Sequence, residues 1–263
     1  MVGHDLGQTA PVKRLAPLVL VPVLALVACD DAPKGKADAK SAASASAKPS
    51  AVASATPPKP KGMPELLVDP EGPYLGGKRV DMKADNAKDR LAEAVKALPI
   101  NGQEVTLLVE KKAKTSYVAA VVAALGAAGA PKVLLKTDGR DDLPKELKVT
   151  PQDRVSSPAG CSVAAMVLKD LSTAVWPYKG GLGKRQRKGL AGPDLSHTGE
   201  TLEKELESCD STMAFFSADD EVPWVMAFNI GGTIVQSDKK KHIDTLVLLK
   251  EAPVAGRAIG GAK

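Results

Sequence analysis

Residues 63–263 read as an α+β fold built from two small repeats. Each repeat runs β-β-α-β-α-β, with its helices packed on one face of a sheet. Three observations predict this. Residues 104–137 form a strand, helix and strand in succession. A hairpin pattern and another helix precede them. Residues 212–250 then repeat the succession of apolar run, charged turn and final apolar run. Helices segregated on one sheet face define this layer class.

In the first half, residues 65–69 are a short apolar-rich strand, and Pro70 and Pro73 punctuate the turn after it. Tyr74-Leu75, Gly76-Gly77 and residues 79–82 suggest a hairpin or a strand with a tight bend. Asp85 or Asn86 can cap a helix by accepting exposed backbone N–H groups. Ala87, Leu91, Ala94, Val95 and Leu98 put an apolar stripe on that helix, and Pro99 and Gly102 end it. Residues 105–109 are a β-type apolar run. Val118, Val121, Val122, Leu125 and Ala128 recur at helical spacing. Gly129 sits where that helix stops, and Pro131 forbids its continuation. Residues 133–135 complete a βαβ unit, expected to be parallel and right-handed.

In the second half, residues 162–168 and 173–178 read as strands. Ser196 or Thr198 can cap a helix running to about Cys209. Setting residues 105–125 beside 212–232 pairs Tyr117-Val118 with Trp224-Val225, and Leu91, Val95 and Leu98 are echoed by Leu202, Leu206 and Cys209. Pro223 suits a first helical turn, so residues 223–230 read as a short helix. A strand pair turning at Gly231-Gly232 remains open, because residues 225–230 are rich in β-formers. Tyr117 and Trp224 are expected in the core.

The N-terminus reads differently. Lys13 and Arg14 precede an apolar run over residues 15–28, the length of a signal-peptide core and short for a membrane span. It ends Leu26-Val27-Ala28-Cys29, a pattern similar to a bacterial lipobox, which implies cleavage after residue 28 and lipidation of Cys29. Several acyl chains on one cysteine anchor stably, whereas one alone is marginal. Residues 1–28 are thus expected to be a lipoprotein signal. Residues 29–62 are expected to be a lipidated cysteine and a disordered Ala/Ser/Lys/Pro tether, with a reach on the order of 30 Å. The chain carries a formal charge of +5. Six Lys against three Asp fall in residues 30–62, leaving 28 basic and 27 acidic residues from 63 onward. The folded part is therefore close to neutral, and no nucleic-acid partner is implied.

The hairpin with its glycine turn, the capped helix and residues 105–135 resemble the periplasmic domain of the ExbD/TolR biopolymer-transport family. The matching positions are residues 105–109, Tyr117, Val121, Leu125, Ala128-Gly129 and residues 133–135. The resemblance covers about 70 residues of residues 63–150, and a diverged second copy is expected over 151–263. It implies a soluble envelope domain of that shape that associates with its own kind or with envelope transport or motor proteins. Some members are linked to peptidoglycan. Family members that act in the motor have a transmembrane helix with a proton-carrying aspartate. Here residues 15–28 contain no acidic residue, so direct proton-driven work is not expected.

Few residues suggest chemistry. Lys184, Arg185, Arg187 and Lys188 put four positive charges in five residues between Gly183 and Gly189. They read as a mobile cationic loop able to meet phosphate, cell-wall carboxylates or an acidic partner, or as a solvated hairpin tip. No aromatic is interleaved, unlike a nucleic-acid platform. With Cys29 taken by lipid, Cys161 and Cys209 are left to form one disulfide in an oxidising compartment. That bond would tie the first strand of the second repeat to the end of its helix. His197 and His242 lack ligand spacing, so no metal is expected, and no cofactor fingerprint occurs. Asp219, Asp220 and Glu221 crowd one turn, where consecutive side chains diverge. The expected function is non-enzymatic binding or scaffolding by a membrane-anchored, periplasm-facing protein. Cell-wall recognition through the basic loop is one alternative. An envelope hydrolase is another, which would need a cleft joining His197 or His242 to a carboxylate.

Overall fold

The structure, a computed structural model, describes residues 64–100 and 102–260. The expected signal segment, Cys29 and the tether lie outside the described residues. Leu66–Asp69 (β1), Gly72–Leu75 (β2) and Lys78–Arg79 (β3) form an antiparallel ribbon. Gly76 and Gly77 have φ of +57° and +85°. A two-residue hairpin turn needs that left-handed conformation, and side chains with a Cβ resist it. Helix Ala87–Lys96 (α1) comes next. Asn86 stands at its N-cap but makes no side-chain cap bond, so the expected capping interaction is not formed.

Strand Val105–Val109 (β4), helix Thr115–Ala127 (α2) and strand Val133–Lys136 (β5) form the expected βαβ unit. Both β1 and β5 lie parallel to β4. Gly129 stands just past the helix at φ +109°. Strand Glu146–Val149 (β6) is antiparallel to β5. The sequence pattern predicts no strand there, because Glu146-Leu147-Lys148-Val149 has only two inward apolar residues.

In the second half, Val163–Val167 (β7), Thr173–Pro177 (β8) and Lys184–Gln186 (β9) form another antiparallel ribbon. Helix Leu195–Glu207 (α3), strand Met213–Ala218 (β10), helix Trp224–Ser237 (α4) and strand Thr245–Leu248 (β11) complete the helices and strands of the described residues. Asp194, not Ser196 or Thr198, caps α3, its carboxylate accepting from the His197 N–H at 3.1 Å. The strand pair turning at Gly231-Gly232 does not form, because α4 runs through both glycines. A Cβ on Gly231 would come within 2.8 Å of Leu147 Cδ1, so the glycine lets α4 lie close on β6.

All the strands join one mixed sheet in the order β3-β2-β1-β4-β5-β6-β11-β10-β7-β8-β9. Read from either edge towards β6, the strands come in the same order: third of the ribbon, second, first, strand after the first helix, strand after the second. The strand β6 pairs with both β5 and β11, so the sheet is continuous across residue 150. The four helices pack their apolar sides on one face, around Val68, Leu107, Val122, Leu202, Phe216 and Phe228. A smaller core lies on the opposite face of the second half, around Trp176, Phe215, Val247 and Ile259.

The strand-to-helix turns correspond bond for bond. Glu110 N–H donates to Val68 O and Asp219 N–H to Val167 O, each at 2.9 Å. Ala113 N–H donates to Glu110 O at 3.0 Å and Val222 N–H to Asp219 O at 2.9 Å. Lys114 and Pro223 then stand at the two N-caps and face each other in an antiparallel bridge. The counterpart of Trp224 is therefore Thr115, two residues from the Tyr117 that the sequence alignment selects. Matching aromatic to aromatic misplaces that alignment; the end of the strand sets the register. The two turns also interlock, with Trp224 N–H bonded to Ala113 O at 2.8 Å and the Trp224 indole to Thr137 Oγ1 at 2.7 Å.

Candidate functional site

The cationic segment is not a loose loop. Lys184 and Arg185 lie in β9, paired with Val175 and Ala174 of β8. In the first half, Lys78 and Arg79 of β3 pair with Leu75 and Tyr74 of β2. Tyr74 in turn faces Leu67, and Ala174 faces Met166, at matching places in the two ladders. Each half therefore has a Lys-Arg pair at the same register of its third strand.

The two arginines do similar work. Arg79 donates from both terminal nitrogens to the Asp69 carboxylate, each at 2.6 Å, and Asp69 Oδ1 also accepts the N–H groups of Glu71 and Gly72. Arg185 donates to Asp170 Oδ2 at 2.5 Å and to Ser172 Oγ at 2.9 Å. Each guanidinium thus clamps the turn between the first two strands of its ribbon. The Arg79 guanidinium holds the Asp69 carboxyl below its ordinary range, overcoming the opposing effect of burial. Asp170 is lowered chiefly by the hydroxyl and N–H of Ser172, with Arg185 contributing less.

Lys184 is paired with Glu205 of α3. Half of the expected cationic site is thus engaged within the fold. Arg187 and Lys188 are exposed and have no ion-pair partner among the described residues. On either side stand Leu182, 92% exposed, and Leu190, fully exposed. Charge alone does not reveal this arrangement. The signal for the apolar part is the leucine at each end of Leu182-Gly-Lys-Arg-Gln-Arg-Lys-Gly-Leu190, and the earlier Lys78-Arg79 is the signal that part of the run is structural.

Cys161 and Cys209 are brought together as the sequence predicts, just before β7 and just after α3. Their sulfurs are 2.09 Å apart and their Cα atoms 5.8 Å apart. Beside them the buried Ser162 and Ser211 hydroxyls share a 2.6 Å hydrogen bond. Trp224 and Tyr117 are buried, as expected.

His197 and His242 both lie against carboxylates. His197 Nδ1 is 2.7 Å from Asp194 Oδ2 at the start of α3. The Asp194 carboxylate raises the His197 pKa, and Asp194 is itself lowered, first by the His197 N–H and then by its ring. His242 Nδ1 lies 2.7 Å from Asp238 Oδ1, and Asp238 Oδ2 accepts the Ile243 N–H, closing a turn. A hydrolase needs a cleft at such a pair. Neither histidine lines the cavities of about 800, 380 and 150 Å³. The Asp219, Asp220 and Glu221 turn does not converge: Asp219 accepts the Glu221 N–H while Glu221 reaches Lys169.

The cavity of about 800 Å³ is an open groove on the first half's bare sheet face, floored by Leu67 and Leu108. Its rim charges are largely matched, as in Lys111–Asp138 and Lys136–Glu146. Among the described residues no group of three or more potential metal ligands occurs, and no helix is long and apolar enough to cross a membrane. Compared with protein-family models, with curated proteins and with solved structures, the chain has no match.

Proposed function

We propose that this chain is a non-enzymatic, lipid-anchored protein of the bacterial envelope. Two ExbD/TolR-like repeats, residues 63–150 and 151–263, form its periplasm-facing part, and it serves as a binding or scaffolding accessory of an ExbD/TolR-type biopolymer transport system. The observation that carries the reading is the mirrored sheet. Each half repeats the same ribbon, helix, strand, helix and strand, with matching turn bonds and a Lys-Arg pair at the same register. A Cys29 lipid and a flexible tether would hold this body near a membrane partner and raise its effective concentration there.

The test is in-cell cross-linking of the full chain, with purification and identification of the proteins joined to it. Recovery of an ExbD/TolR-type transport or motor component is the expected result. Recovery of envelope proteins without any such component overturns the accessory role. Loss of membrane association in a Cys29→Ser variant that is still exported is the expected result for the anchor.

A further inference from the structure

From the side chains along β9 we infer that this edge of the sheet, with the turns flanking it, is a contact surface for an anionic lipid bilayer. The surface does not depend on the family resemblance. Leu182 and Leu190 are 92% and fully exposed, and Val254 is 60% exposed. Gly181 N–H donates to Gly256 O at 2.9 Å, which puts Leu182 and Val254 on adjoining turns. Gly189 N–H donates to Gly192 O at 2.7 Å, closing a tight turn with Leu190 at its tip. Exposed Arg187 and Lys188 lie between the two leucines, and exposed Arg257 lies on the turn that carries Val254.

The shared topology does not require an apolar tip at Leu182. The first-half counterpart of the turn that carries Leu182 is Gly76-Gly77, with no apolar side chain. Lys184 and Arg185 have structural counterparts in Lys78 and Arg79, and Gln186, opposite Thr173, stands where Val80 N–H bonds to Pro73 O; Leu182, Arg187, Lys188 and Leu190 lie outside these matched pairs. An acidic polymer without apolar groups would engage the cations and leave the leucines in water. A bilayer takes both: leucines enter below the headgroups, while guanidinium and ammonium groups stay at the phosphate level. Those phosphates are also where basic side chains gain most from a negatively charged leaflet.

The test uses the full chain with Leu190→Trp. The native Trp176 and Trp224 are 1% and 0% exposed, so they give a constant background. Mixed phosphatidylcholine and phosphatidylglycerol vesicles should shift the new emission to the blue, and lipids brominated on their acyl chains should quench it. Pure phosphatidylcholine should do neither. Adding Arg187→Gln and Lys188→Gln should weaken docking about thirtyfold, read from the quenched fraction. Because the reporter sits at the edge itself, attachment through the N-terminal residues does not imitate the signal. An unshifted, unquenched emission on phosphatidylglycerol vesicles overturns the proposal. So does binding to purified peptidoglycan that depends on Arg187 and Lys188 but not on Leu182 or Leu190, which would make the edge a cell-wall site.

Discussion

The two halves share a strand order but not a second layer. On the face away from the helices, Phe215 of β10 pairs with Val247 of β11, and both are buried. At the same place in the first half, Thr106 of β4 pairs with Leu134 of β5; Thr106 is exposed and Leu134 half-buried. The path of the chain beyond β5 and β11 makes the difference. After β11 the chain crosses this face, where Arg257 O accepts the Trp176 indole N–H at 2.9 Å and Ile259 N–H bonds to Tyr178 O at 3.0 Å. After β5 the chain instead turns into β6 and extends the sheet. One half therefore closes a second core, while the other keeps an open face with a shallow groove. The same topology can be finished in two ways, and the residues on the outer face match the choice.

The largest expected consequence is in that outer layer. Phe215→Ala should cost about 4 kcal/mol, as truncations of buried aromatics do. Leu134→Ala, at the ladder partner of the corresponding position, should cost less than about 1 kcal/mol. Denaturant unfolding of the two variants compares them directly, and equal losses would mean that the first-half face is covered in solution. Next is the disulfide, present in the second half alone. Cys161→Ser with Cys209→Ser opens a loop of 48 residues and should cost about 3 to 4 kcal/mol. Protection from hydrogen exchange should fall in β7 and α3 and persist in β1 and β4.

A smaller contrast separates the two aspartate clamps. Asp69→Ala removes two guanidinium bonds and two turn bonds from a largely buried carboxylate and should cost about 2 kcal/mol. Asp170→Ala, at the more exposed clamp, should cost less. The depressed Asp69 pKa means its contribution is present above the unfolded-chain value and is lost as pH falls through the folded one. Acid titration of stability should therefore flatten in Asp69→Ala.

The smallest effect is the cap of α3. Asp194 has a lowered pKa, so its contribution is lost as pH falls through that folded value. His197 has a raised pKa, so its contribution is full below its unfolded value and lost as pH rises through the folded one. The difference in melting temperature between the native chain and Asp194→Ala should thus be greatest at mildly acidic pH, between the ordinary carboxylate and imidazole ranges. It should narrow on both sides. A difference that does not change with pH would show that the side-chain pair contributes nothing beyond a neutral cap.

By itself the sequence determined the local elements, because their signals are local. Apolar spacing marked α1 and α2, the Gly76-Gly77 turn marked the first ribbon, and glycine marked the end of α2. It also named Cys161 and Cys209 as partners, by elimination rather than by geometry. The tertiary structure decided what depends on neighbours distant in the chain. Only close packing, of Gly231 against Leu147 and Phe216 and of Gly232 against Leu143 and Pro144, explains why α4 runs through both glycines. Only pairing to β5 along all four residues, with β11 added at Val149, makes a strand of residues 146–149, which have too little apolar character to announce one. The cationic stretch shows the limit most clearly. Charge and spacing identify Lys184, Arg185, Arg187 and Lys188 together, but a carboxylate from a turn or a helix engages the first two and leaves the others to solvent. Those carboxylates lie 15 and 21 residues away, and no pattern read along the chain reports which charges they will reach.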